Sequence, residues 1–181
     1  AQVNTLSSVQ LQALSSAQLN ALDTADVAVM GTSQIQALTT AQLSQVQTDS
    51  IAALTTSQVA ALTTGQVAAL TTTQITTLSV EQVGAMTSTQ VKAMGTDQLN
   101  AMNADQVAAL GTEDVAAISA SNLSALSTAV IQSLTSSQVV NLTNAGFKSE
   151  HQTHYGNLEF TGSYTGGSDE DAIELNGSTI T

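Results

Sequence analysis

The strongest constraint on this sequence is an eight-residue repeat that runs from Leu6 to Asn141 without insertion or deletion. The 17 octads follow the consensus Leu-Thr-Thr-x-Gln-Val-Ala-Ala, as in the run from Leu54 to Ala61. In all 17, the first position is Leu, Met, Ile or Val and the sixth is Val, Leu or Ile. Gln occupies the fifth position in 12 octads, and Ala the eighth in 12. A fixed short period predicts a stack of identical units.

The spacing of the two apolar positions rules out uninterrupted secondary structure. Positions one and six have opposite parity, so a flat strand would place them on opposite faces. Alternating spacings of five and three residues drift around a continuous helix instead of forming a stripe. The backbone must therefore break and restart within each octad.

The second to fifth positions predict where each helix begins. Position two is Ser, Thr, Asp, Asn or Gly in 16 of 17 octads, the residues preferred at an N-cap. Gln three residues later completes a capping box, and positions one and six then form a hydrophobic staple. Gln47 is the exception, and we expect Thr48 to cap that helix one residue later. A role for the Gln column as a zipper between turns is an alternative to the simpler capping role.

The charged residues of the repeats support this assignment. Eight carboxylates lie at positions two, four or five, where a helix dipole favours anions, and Lys92 lies at position seven, toward the helix C-terminus. The carboxylates are those of Asp23, Asp26, Asp49, Glu81, Asp97, Asp105, Glu113 and Asp114.

The pattern predicts an all-α repeat solenoid of about 17 capped short helices, each running from position three to the next position one. Such helices are too short to persist alone, so stacking must stabilise them. Ala at position eight would allow neighbouring turns to approach closely. The alternative is a β-solenoid with 16-residue coils, which the Thr-Thr pairs favour.

The chain divides into a repeat domain, residues 1–145, and a different C-terminal tail, residues 146–181. The tail holds all four aromatic residues, Phe147, Tyr155, Phe160 and Tyr164, which we expect to contact neighbouring subunits. Asn176-Gly177 between the segments 172–175 and 178–181 predicts a β-hairpin. Its strands would cap the solenoid or pair with another chain.

Two groups in the tail resemble metal ligands. His151 and His154 are three residues apart, but no third ligand is evident, which favours a pair of exposed polar residues. A second group has carboxylates that Ca²⁺ would accept, although a solvated acidic turn explains it more simply. Its members are Asp169, Glu170, Asp171 and Glu174. Apart from this calcium candidate, no cofactor is expected.

Composition excludes several functions. The chain has 2 Lys+Arg against 14 Asp+Glu and a net charge of −12, which argues against a nucleic-acid partner. It has no Cys, and no apolar run long enough to insert into a membrane. The repeats contain no His to activate a Ser, so we expect no enzyme. The four Met residues occupy position one and are expected in the core.

The Leu-Thr-Thr-x-Gln-Val-Ala-Ala octads across residues 1–145 resemble the Thr/Gln/Ala-rich repeats of large secreted surface proteins of Gram-negative bacteria, of the adhesin type. This resemblance implies an extracellular or cell-surface structural or adhesive protein.

These observations lead to two expectations about function. The first is a subunit that associates with itself head to tail into a filament, sheath or stalk, with the tail joining subunits. The alternative is an adhesin or display module that binds a surface, glycan or ice.

Overall fold

In the computed structural model, the chain is described at residues 3–144, 173–175 and 178–180. A 3-10 turn at Val3–Thr5 is followed by a series of 17 α-helices. They are α1 (Ser8–Ala13), α2 (Ser16–Leu19), α3 (Thr24–Ala28), α4 (Thr32–Ala37), α5 (Thr40–Ser44), α6 (Thr48–Ala52), α7 (Thr56–Ala61), α8 (Thr64–Ala69), α9 (Thr72–Thr77), α10 (Val80–Gly84), α11 (Ser88–Ala93), α12 (Thr96–Ala101), α13 (Ala104–Ala109), α14 (Thr112–Ala116), α15 (Ala120–Ser124), α16 (Thr128–Gln132) and α17 (Ser136–Asn144).

Every helix begins at position three of its octad, as the capping pattern predicts. At Thr63, the N-cap of α8, the backbone is extended (φ −70°, ψ 157°) and the hydroxyl accepts a hydrogen bond from the main-chain N–H of Gln66. Gln47 corrects one expectation. It is itself the N-cap of α6 and makes no side-chain cap bond, so Thr48 starts the helix and does not cap it.

Helices α1 to α16 end earlier than predicted, at position six, seven or eight, whereas α17 continues past its octad to Asn144. Position one is extended instead, as at Leu70 (φ −62°, ψ 136°), whose N–H bonds back to the carbonyl of Val67. The chain can therefore change direction after every helix, because one extended residue separates the end of a six-residue helix from the next N-cap.

The helices wind into a solenoid in which stacking partners are three helices apart, for example α4 on α7 and α7 on α10. One coil therefore contains three octads, or 24 residues. We call the series α1, α4, α7, α10, α13, α16 the first stack, the series that starts with α2 the second, and the series that starts with α3 the third. The all-α repeat solenoid is confirmed, and the β-solenoid is not found among the described repeats.

The core is a continuous ribbon made by the first and sixth positions of successive octads. Ile75 and Val67 are fully buried, and Leu70 is 4% exposed. The four Met residues at position one are also buried, as predicted: Met30, Met86, Met94 and Met102. Since each octad contributes only two such side chains, no octad has a core of its own, and every helix depends on those stacked above and below it.

Two strands are described in the tail, β1 (Ile173–Leu175) and β2 (Ser178–Ile180). They pair antiparallel, with Ile173 opposite Ile180 and Leu175 opposite Ser178. These segments are the ones in which a hairpin was predicted from Asn176-Gly177.

Candidate functional site

The fifth-position glutamines join each coil to the one before it. The Gln66 Oε1 atom accepts a hydrogen bond from the Thr63 N–H at 2.9 Å, which completes the capping box. Its Nε2 atom donates to the carbonyls of Ile35 at 2.8 Å and Leu38 at 2.7 Å, 31 and 28 residues earlier. One side chain therefore starts its own helix and also satisfies main-chain carbonyls of the preceding coil, where the side chain is only 2% exposed.

The same arrangement recurs along the solenoid, and we call it the amide ladder. Each fifth-position Gln from residue 34 onward donates to carbonyls of the residues 31 and 28 positions earlier. The members are Gln34, Gln42, Gln58, Gln66, Gln74, Gln82, Gln90, Gln98, Gln106 and Gln138. Both roles weighed from the sequence, cap and zipper, therefore belong to one residue.

A second, shorter set of amides reaches in the opposite direction from position seven. Gln12 and Gln36 donate from Nε2 to the carbonyls of Ala37 and Ala61, 25 residues later, at 3.1 and 2.8 Å. Asn20 and Asn100 make the same contact and also accept a main-chain N–H 27 residues later. These side chains lie near the surface, so their bonds compete with water and stabilise less than the ladder does.

The ladder is interrupted where position five is not Gln. Asp114 has no amide to donate, and instead accepts from the Ser88 hydroxyl at 2.7 Å and the Gly111 N–H at 2.9 Å. Asn122 is one methylene shorter than Gln and reaches only the Met94 carbonyl, at 2.8 Å. Val130 is 6% exposed and has no polar side-chain group at all. These three octads are consecutive and make up one whole coil.

The outer surface carries exposed carboxylates on all three stacks. Glu81 and Asp105 lie on the first stack, Glu113 on the second, and Asp49 and Asp97 on the third. Hydrogen bonds from its own backbone N–H and from the Ser79 hydroxyl hold the pKa of Glu81 below its ordinary value of 4.5. Every side of the rod is therefore negatively charged near neutral pH.

A polar groove of about 530 Å³ opens between α9 and α12. Gly95 lies in its wall, and a Cβ added there would have Gln98 Oε1 as its nearest neighbour, at 3.9 Å. Thr71, Thr72, Thr96 and Asp97 supply hydroxyl and carboxylate groups to its walls. Ala68 and Leu70 also line the groove, so its walls are partly apolar.

Most of the tail residues predicted to carry function lie outside the described part of the chain. They are Phe147, Tyr155, Phe160 and Tyr164 as subunit contacts, His151 and His154, and the calcium candidates Asp169, Glu170 and Asp171. The backbone of the fourth calcium candidate, Glu174, is described and lies in β1 opposite Thr179. These interpretations remain predictions.

The described segments contain no group of three or more His, Cys, Asp or Glu arranged to hold a metal ion. None of the helices described is both long enough and apolar enough to cross a membrane.

Sequence reasoning left the inter-coil role of Gln unresolved, although one signal pointed to it. A capping box accepts Glu as well as Gln, and the helix dipole favours a negative charge at that position. Yet none of the 17 octads has Glu at position five. A requirement for the amide N–H groups explains this, because carbonyls of the preceding coil face them.

Comparison with known proteins identifies a repeat family. Five overlapping segments match the family described as the ALTTAQ repeat, at residues 19–56, 40–72, 59–95, 81–112 and 107–144. The six letters of that description stand unchanged at residues 37–42, from the last residue of α4 to the ladder residue Gln42. No curated protein and no solved structure matches the chain.

Proposed function

Because the chain belongs to the ALTTAQ repeat family, whose repeat unit contains the residues that join one coil to the next, we propose that it is a structural protein that polymerises. In this proposal the solenoid is a rod outside the cell, and rods associate head to tail into a filament, sheath or stalk. The proposal assigns no catalytic role to the repeats, whose hydroxyl groups have no His or Cys within the repeats to activate them.

The observation that carries this proposal is the recurrence of one kind of coil-to-coil junction. The same Gln-to-carbonyl bonds join most of the described coils, with residues 110–133 as the exception, so coils with Gln at position five are chemically suited to stack on one another. A heterologous contact between subunits built from the same bonds, with amides of one subunit on carbonyls of the next, would propagate into an open polymer.

The charge distribution favours end-to-end over side-by-side association. Carboxylates are exposed on all three stacks, and the only cation of the repeats is Lys92. Two parallel rods would therefore repel each other along their length, and salt would weaken this repulsion. The ladder junction between coils is made of neutral amides and carbonyls, so it lacks this penalty.

The tail is assigned the role of fastening one subunit to the next. It contains every aromatic residue of the chain, and large aromatic side chains are the usual anchors of interfaces. A short two-stranded hairpin is marginal alone, so it gains stability by packing against a neighbour.

Negative-stain electron microscopy of the purified chain, with and without millimolar calcium, tests the proposal. We expect long uniform fibres without added ligand, and none from a variant that lacks residues 147–181. Monodisperse short rods at all concentrations would refute self-assembly, whereas unchanged fibres from the truncated variant would refute only the role of the tail. Raising the salt concentration should add lateral bundling.

The groove between α9 and α12 favours a second candidate function, display of a binding surface. Its hydroxyl and carboxylate walls suit a polar ligand such as a glycan. A glycan-binding screen with the wild type and Gly95→Thr, which would narrow the groove, tests this alternative. Binding that is unaffected by Gly95→Thr would exclude the groove as the site.

A further inference from the structure

One coil of the solenoid, residues 110–133, lacks Gln at all three of its fifth positions, and we call it the Gln-free coil. Its fifth-position residues are Asp114, Asn122 and Val130. In the regular coil of residues 54–77, Gln58, Gln66 and Gln74 each donate to at least two carbonyls of the preceding coil.

The Gln-free coil makes one such contact, from Asn122 to the Met94 carbonyl. Within the described residues, no side chain donates to the carbonyls of Val83 and Met86, which Gln at residue 114 would reach. No described side chain donates to the carbonyls of Leu99 and Met102 either, which Gln at residue 130 would reach. The Val83 and Leu99 carbonyls keep a main-chain N–H as donor, from Met86 and Met102, whereas the carbonyls of Met86 and Met102 have no described donor. Buried carbonyls without a donor destabilise the folded state, so this junction is weaker than its neighbours.

Four replacement contacts hold the junction, and none of them restores the missing bonds. Ser88 donates to the Asp114 carboxylate at 2.7 Å, and Thr96 donates to the Asn122 side-chain oxygen at 3.0 Å. In exposed positions, Asn100 donates to the Ala125 carbonyl at 3.1 Å and accepts from the Ser127 N–H at 2.7 Å. Helix packing across the junction is uneven, since α14 packs on α11 as helices of regular coils do, whereas α15 packs less extensively on α12 than α12 packs on α9.

On the C-terminal side of this coil the ladder resumes. Gln138 donates to the carbonyls of Val107 and Leu110 at 2.9 and 2.8 Å, and α17 packs closely on α14. The Leu110 bond and the packing of α17 on α14 tie residues 110–144 to one another. Among the described residues, only two ladder bonds cross to the coil below, from Gln138 to Val107 and from Asn122 to Met94. We propose that the junction beneath the Gln-free coil is a yielding joint, at which residues 110–144 detach as one unit while the preceding coils stay wound.

The joint gives the rod a defined place to open under load or mild denaturation. In a one-dimensional array, opening occurs at the weakest nearest-neighbour junction. The released helices are too short to persist by themselves, so all their amides would exchange with solvent at a common rate. This inference does not depend on whether the rods polymerise.

Hydrogen exchange followed by mass spectrometry on the full chain tests the joint. We expect a step between residues 109 and 110, with residues 110–144 exchanging about tenfold or more faster than residues 54–109, the effect of one to two net hydrogen bonds. A smooth gradient toward the C-terminus, or fastest exchange elsewhere in the array, would indicate ordinary end fraying and overturn the proposal.

A pair of matched variants tests the cause. The variant D114Q/N122Q/V130Q restores the ladder, and each new Gln has a precedent in the chain, because Gly95 and Ser79 already cap helices with Gln at position five. It should slow exchange of residues 110–144 about tenfold or more.

The reverse variant, Q66D/Q74N/Q82V, moves the same interruption to residues 62–85 and should create a second fast-exchanging boundary there. If restoring Gln leaves the exchange of residues 110–144 unchanged, the ladder is not the cause and the proposal fails. If the reverse variant does not fold, the wild-type step and the single variant Asn122→Gln still decide the question.

Discussion

Replacing Gln66 by Met isolates the contribution of the ladder, because Met has a similar length and no amide. The change removes the bonds from Thr63 N–H, at 2.9 Å, and to the carbonyls of Ile35 and Leu38. The Ile35 carbonyl keeps the Leu38 N–H, at 3.2 Å, so it is not left empty. The Leu38 carbonyl loses its only described donor, and Leu38 is 7% exposed.

We expect a loss of unfolding free energy of about 3–4 kcal/mol for Gln66→Met. The bonds to the Thr63 N–H and the Ile35 carbonyl contribute about 1 kcal/mol each, and the Leu38 carbonyl, left without a donor, costs about 2 kcal/mol. Burial of the Met thioether offsets a small part of this loss. Urea denaturation followed by far-UV circular dichroism measures the total. Hydrogen exchange of the adjoining coils then shows where it acts, since repeat arrays need not unfold in one step.

Gln10→Met is the matched control. Gln10 makes the same capping bond, from the Ser7 N–H at 2.9 Å, but is exposed and donates to no carbonyl among the described residues. Its replacement should cost only about 0.5–1 kcal/mol. Equal losses for the two variants would show that Gln acts only as a cap, and would refute the ladder as a source of stability.

Two further predictions concern the caps and the surface charge. Gly95→Ser should raise the free energy of unfolding, measured in urea, by about 0.3 kcal/mol. Gly111→Ser should give no gain, because the new Cβ would lie 2.7 Å from Asp114 Oδ2. Equal gains at both sites would contradict this explanation. The lowered pKa of Glu81 means that its contribution to stability is fully present above pH 4.5 and is lost as the pH falls through its folded-state pKa. The difference in unfolding free energy between wild type and Glu81→Gln should therefore shrink on acidification. A difference that grows on acidification would contradict a lowered pKa.

The local features of this fold could be predicted from the sequence because they depend on residues three or four positions apart. The helix starts follow from the N-cap residues at position two in 16 of the 17 octads, 12 of which also have Gln at position five. The two apolar positions of each octad, the first and the sixth, follow from the hydrophobic staple. Even Gln47, which breaks the cap pattern, leaves its helix starting at the usual place, since the neighbouring coils impose the register.

The number of helices per coil could not be predicted, because it depends on the direction the chain takes at one extended residue per octad. Leu62 and Leu70 both leave their helices with ψ near 137°, at 138° and 136°. Repeated at each octad, that geometry returns the chain above itself after three helices. The sequence of a single octad does not specify three helices per coil. The carbonyls 28 and 31 residues before each Gln are therefore recognised as its partners only in the structure.

The choice of Gln at position five follows from three requirements on one side chain. It must supply an acceptor for the N-cap N–H, supply donors for two carbonyls of the preceding coil, and be long enough to reach them. Glu would satisfy the first requirement but would place a carboxylate against carbonyl oxygens, without a proton to share. Asp114 shows this conflict on a shorter side chain, since it binds Ser88 and Gly111 and turns to neither carbonyl.

Asn122 shows the requirement for length, because it keeps an amide and still reaches a single carbonyl. Val130 shows that the helix itself survives without any of the three functions, since α16 forms with Ser127 as its cap. Position five is therefore not needed to make a helix, and its amide is needed to hold one coil against the next. Substitutions at this position change how firmly the rod is wound while leaving its secondary structure intact, which makes it the position through which the strength of each junction can vary along the chain.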